Sequence, residues 1–210
     1  MIHDTADKAI HTINTQVQRS FSQLKMAKWD ELNVVRKVSA AYKSAVRLAR
    51  RCYLEVAKDA FIRALIEAGY SLAAAKRRAE DIIIDEWLED ILTENNELTL
   101  YNFDNEVDRK QQRMVEAVTA AHDKGAQIDK AMRALSGQLA QYADIIVAAA
   151  RFEAFDDARV DSVRWITQAD ERVCDECGPL HNKVFALAFA PRCPLHFRCR
   201  CRLVPAFTTP

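Results

Sequence analysis

The chain has 210 residues, half of them apolar, and its 30 basic and 30 acidic side chains leave a formal net charge of zero. Only four glycines and five prolines interrupt it, which favours helix over a loop-rich β fold. Neutrality excludes a molecule that is, as a whole, an electrostatic magnet for nucleic acid; the polar start offers no signal-peptide core, and no apolar run nears the roughly 18 residues that read as a membrane span.

The expectation is synthesis in a reducing cytoplasm. There, clustered cysteines serve as metal ligands rather than disulfides. Five of the six cysteines fall after Trp165: Cys174, Cys177, Cys193, Cys199 and Cys201. The pattern predicts a mainly α protein, a long-helix body with a small C-terminal α+β tip like a zinc knuckle. Three segments follow: an N-terminal helical arm over 1–28, a helical body over 29–160, and a Cys/His-rich metal-binding tip over 161–210.

In the arm, Ile10, Ile13, Val17, Phe21 and Leu24 recur at helical spacing on one narrow stripe. Alone such a helix is marginal, so it lies on its own domain or on a partner. The next helix starts near Asp30. Val35, Val38, Tyr42, Ala45, Ala49, Cys52 and Val56 form a heptad seam that fades by Asp59, and Gly69 supplies the stop. Arg47, Arg50 and Arg51 lie off the seam, on a face read as solvated. Cys52 reads as a small core residue.

Ser71 is the N-cap of a third helix from Leu72 to about Thr93. Asp81, Asp85 and Glu89 share one face at four-residue spacing, read as a solvated or partner-facing row. Acidic residues at the C-terminal end oppose the helix dipole, so a neighbour is expected to compensate them. Residues 95–103 break the body, with Leu98, Leu100 and Phe103 as anchors. A fourth helix runs from about Asp104 to Lys124, closed by Gly125. A fifth begins near Ala126 and meets Gly137, which either separates two helices or sits inside one at about 1 kcal/mol cost. Leu139, Tyr142, Ile145, Ile146, Ala149, Phe152 and Phe155 then mark an apolar face.

Beyond Val160 the period changes to that of strands. Val163, Trp165 and Thr167 alternate with polar residues; Val184–Phe185 is a second strand; Cys199, Cys201 and Leu203, alternating with Arg198, Arg200 and Arg202, suggest a third. So small a sheet buries little core, and a metal supplies the missing stability. Cys174 and Cys177, two residues apart, have the spacing that lets two thiolates meet one tetrahedral ion. The second pair comes from downstream: His196 and Cys199 repeat the gap, Cys201 competes as a ligand, and Cys193 is spare. Sulfur-rich ligation favours zinc. Four protein ligands leave no open position, so the site reads as structural and the chain as no enzyme. His181 and His196 beside cysteines are the residues an enzyme reading would use. Arg198, Arg200 and Arg202 are the candidate contacts for phosphate or for an acidic protein surface.

Trp165 and Thr167, then Asp170, Arg172, Val173, Cys174 and Cys177, the turn residue Leu180, and finally Pro194, His196, Cys199, Arg200 and Cys201 resemble the C-terminal signature of the phage Mu F-like minor head proteins. Upstream, Ala150-Arg151-Phe152-Glu153 resembles that family's Arg-Thr-Glu helix motif, with Phe152 in place of Thr. The resemblance covers about residues 80–205. It departs at Asn182, where the family has Gly, and Asn tolerates the left-handed turn. Residues between the downstream ligands also differ, and Cys193 is outside the pattern. The resemblance implies a few-copy virion protein of the phage head, made in the bacterial cytoplasm and associated with the portal protein and the major capsid protein during head assembly and DNA passage. The metal ligands expected from spacing, Cys174, Cys177, His196 and Cys199, with Cys201 as the alternative, are all retained in it. Arg151 and Glu153 are expected to tie helix to tip, with Asp170 and Arg172 as partners. The alternative function is a nucleic-acid-binding zinc module that acts on packaged DNA.

Overall fold

The computed structural model describes residues 2–25, 31–93, 103–168, 173–196, 199 and 201–207. Among them are six α-helices: α1 (Ile2–Lys25), α2 (Glu31–Glu67), α3 (Leu72–Ile82), α4 (Asp85–Thr93), α5 (Phe103–Ala120) and α6 (Lys124–Asp157). Three strands follow, β1 (Ser162–Ile166), β2 (Val184–Ala186) and β3 (Arg202–Pro205). They form one antiparallel sheet in the order β2-β1-β3. The mainly helical class with a small α+β tip is therefore the observed one. No described helix is long and apolar enough to cross a membrane.

Two compact units divide the chain. One comprises His3–Tyr53 and Glu89–Ala143, the other Leu54–Leu88 and Asp144–Pro210, with boundaries inside α2, α4 and α6.

In the first unit α1 buries the predicted stripe at Ile13, Val17, Phe21 and Leu24. On α2 the seam is buried at Val38, Tyr42, Ala45 and Ala49, but Val35 is exposed and Tyr53 takes the buried place next to half-buried Cys52. A straight helix drifts against a seven-residue repeat, and the buried line moves to the neighbouring residue. Phe103 opens α5 fully buried, edge-on to Tyr142 at 4.5 Å and to Tyr53 at 6.2 Å. Tyr53 donates its hydroxyl hydrogen to the Leu139 carbonyl at 2.7 Å. Arg50 is not merely solvated: its guanidinium sits 5.5 Å from the Phe103 ring and pairs with Glu89. The expected anchors Leu98 and Leu100 lie outside the described residues.

The reading of one fifth helix beginning after a stop at Gly125 is corrected. Helix α5 ends at Ala120, and α6 starts at Lys124 with Gly125 in its first turn. Asp123 is the reason: its carboxylate accepts the Ala126 N–H at 3.0 Å, three residues on, as an N-cap does. Lys124 Nζ reaches back to the Thr119 carbonyl at 3.0 Å and the Ala121 carbonyl at 3.3 Å, covering the end of α5. Gly137 sits inside α6.

In the second unit burial on α2 continues past Asp59, through Ala60, Phe61, Ala64 and Leu65. The helix ends at the predicted stop, with Gly69 at φ +98°. Ser71 caps α3 by accepting the Ala74 N–H at 3.3 Å. The single third helix is a correction: the chain breaks at Ile83–Ile84. Ile83 and Leu88 are both buried, and five residues of continuous helix would set them about 140° apart. The break brings both inside. It also puts Asp85 and Glu86 in a first turn, where the dipole favours them, and ends the carboxylate row as a single face. Compensation by a neighbour is present as well, since Lys58 on α2 pairs with Glu80; Arg78 Nε separately ties α3 to α6 by donating to Asp157 at 2.9 Å. On α6, Ile145, Ile146, Ala150, Ala154 and Phe155 are buried while Phe152 is exposed.

Candidate metal centre

The sheet is the platform of the site. Val163 and Trp165 on β1 and Leu203 on β3 are buried, with Trp165 opposite Leu203 in the register. Alternation holds as predicted, but β3 begins at Arg202, so Cys199 and Cys201 precede the strand. Arg202 is half-buried opposite Ile166, its Nε buried without a hydrogen bond among the described residues. Arg198, Arg200, Asp170 and Arg172 lie outside the described residues.

The knuckle is built by its own backbone. The Cys177 N–H donates to Cys174 Sγ at 3.3 Å and the Gly178 N–H to the Cys174 carbonyl at 2.9 Å, a bend that turns both sulfurs to one side. A 3-10 turn, Gly178–Leu180, follows. Asn182 then takes the left-handed conformation at φ 64°, and its N–H donates to the Trp165 carbonyl at 2.8 Å. His181 is held by Thr167, whose N–H donates to its Nδ1 at 3.2 Å and whose hydroxyl lies 2.8 Å away. That nitrogen accepts, so the ring proton is on Nε2.

The downstream segment meets the knuckle. His196 Nε2 lies 3.1 Å from Cys174 Sγ and 3.2 Å from Cys177 Sγ, and Cys199 Sγ is 3.7 Å from Cys177 Sγ. The ligand atoms form two close groups, Cys174-Cys177-His196 and Cys177-Cys199-Cys201, which share Cys177. None of the six cysteines is in a disulfide. Cys177 and Cys199 are buried, and Cys174, Cys201 and His196 are half-buried. A set of thiols and one imidazole at these separations can bind a metal ion.

Electrostatics points the same way. The Cys193 S–H hydrogen-bonds Cys199 and, above all other influences, pulls the Cys199 thiol down to about 4. Cys193 in turn is held protonated by that bond and by burial. Burial, then the Cys199 charge, pushes Cys201 up to about 11. Burial and the bond to Cys174 push Cys177 up. The backbone N–H of Cys177 draws Cys174 down. Thiolates in contact cannot all ionise unless a cation joins them. The Trp165 indole N–H is fully buried without a hydrogen bond among the described residues, and its lowering influence on Cys201 is outweighed by burial and the Cys199 charge.

Behind the sheet stands Arg151 on α6, buried. It donates from Nη2 to the Leu203 carbonyl at 2.9 Å and to Glu67 at 2.6 Å. The tie from helix to tip thus runs to Glu67 and β3. Cys193 and Glu67 were missed as participants. Cys193 had a signal, a sulfur three residues before His196; Glu67 had none, being 84 residues from Arg151. Against models of protein families, characterised proteins and solved structures, the chain finds no match.

Proposed function

We propose that this protein is a structural minor head component of a tailed phage, resident in the virion, that docks through its helices to portal and inner capsid. In this reading zinc at the tip fixes a shape and performs no reaction. One observation carries the reading: the separate parts of the head-protein signature serve one small structure. Cys174 and Cys177 meet His196 and Cys199. Asn182 makes the turn where that family uses Gly. Arg151, in the position of the helix-motif arginine, holds β3.

The test is co-expression of the tagged chain with the portal and major capsid proteins of its phage. Recovery of the tagged chain with portal rings, and in a few copies per assembled head, is expected. A folded, metal-loaded chain that stays free of both assemblies would defeat the proposal.

A further inference from the structure

We infer that the tip is a two-ion centre in which Cys177 bridges a pair of borderline-soft divalent cations. This rests on the reading that the tip holds zinc. Around one tetrahedral ion with bonds of about 2.3 Å, sulfurs sit about 3.8 Å apart, so four ligands form a single mutually close set. Among the described residues the close sets are two groups of three, joined at one atom, Cys177 Sγ. Each group is already one face of a tetrahedron. The Cys177–Cys199 edge of 3.7 Å has the length such a face requires. The Cys174–His196 and Cys177–His196 separations, 3.1 and 3.2 Å, need to open by only about 0.4 Å.

Ligand supply agrees. A single ion takes four groups, whereas five converge. One ion has Cys177, Cys199 and Cys201, with one position left for a further group. The other has Cys174, Cys177 and His196 and completes its shell with a water. A thiolate has lone pairs for two metals, and of the five grouped ligands only Cys177 stands in both sets.

The experiment is zinc titration of the full chain, stripped of metal under reducing conditions, followed by removal of free ion and elemental analysis. Two ions per chain are expected. One ion per chain overturns the inference and leaves the zinc tip standing; none overturns both. Cadmium-113 loading then tests the bridge: two resonances that split each other through a shared sulfur are expected, and two uncoupled resonances overturn it. Cys201→Ser is expected to keep one ion and one unsplit cadmium resonance, and its retention of two coupled resonances would overturn the assignment of Cys201.

Discussion

Arg151 on α6 and Leu203 on β3, 52 residues apart, are joined by a 2.9 Å hydrogen bond from guanidinium to carbonyl. The same Nη2 meets Glu67, and Nη1 lies 3.3 Å from the other Glu67 oxygen. The guanidinium also sits 5.3 Å from the Phe155 ring. One side chain thus fixes an edge strand to two helices. Removing it leaves a carbonyl without its donor and a partly buried carboxylate without its counter-charge. Arg151→Ala is therefore expected to lose about 2–4 kcal/mol in denaturant unfolding. Arg151→Lys should recover less than half, since an ammonium cannot reproduce the planar fork. Equal stability of the lysine variant and the parent would refute the bidentate role.

Metal uptake should release protons. Cys201, pushed up to about 11, and Cys177, also raised, keep their protons at pH 7, whereas Cys199 at about 4 has already lost its own. An ion binds thiolates, so it must displace the protons that remain. Affinity then rises with pH and falls as the solution is acidified. Calorimetry in two buffers of different ionisation enthalpy should give more than one proton released per chain at pH 7. Identical heats in the two buffers would contradict the assignment of these thiols as ligands.

Gly137 lies exposed within α6, and a Cβ built there meets nothing within 4 Å. Its conformation is helical, so alanine fits without strain and restricts the unfolded chain. Gly137→Ala is expected to stabilise by about 0.5–1 kcal/mol. A fall in midpoint temperature would mean that this face of the helix meets something in the folded state.

What the sequence made legible was local. Ser71, Gly69 and Asn182 act through their own backbone conformation, so the cap, the stop and the turn could be placed from residue type. The candidate ligands were legible because spacing alone makes Cys174 and Cys177 neighbours, and His196 and Cys199 repeat it. The misses have a different origin. Ile82, Ile83 and Ile84 fit a helix by propensity, and only the five-residue step from Ile83 to Leu88, both buried, argues for a break. Gly125 reads as a stop by residue type, although Asp123 two residues earlier carries the capping oxygen. Glu67 as the partner of Arg151 has no local sign, because tertiary packing selects it. Cys193 lies outside the two pairs Cys174–Cys177 and His196–Cys199, so their spacing gives no sign that its thiol lowers Cys199.

Two helices end on the same arrangement, one with glycine and one without. Tyr70 N–H donates to the Leu65 carbonyl at 2.9 Å and Gly69 N–H to Ile66 at 3.0 Å; Val160 donates to Phe155 and Arg159 to Asp156, both at 2.9 Å. These paired bonds require a left-handed residue between them. Gly69 supplies it at φ +98°, and Arg159 at φ 53°. The first angle lies beyond the range comfortable for a side chain, and the second lies within it at some cost. No atom crowds a Cβ at residue 69, so the penalty there is backbone strain alone. Gly69→Ala is expected to lose about 1–2 kcal/mol, and Gly69→Asn less, because asparagine visits this region more readily. Arg159→Gly trades strain relief against a more mobile unfolded chain and should gain at most about 0.5 kcal/mol. Denaturant midpoints of the three variants decide it: alanine and asparagine equal at 69 would show that conformation is not what glycine contributes there.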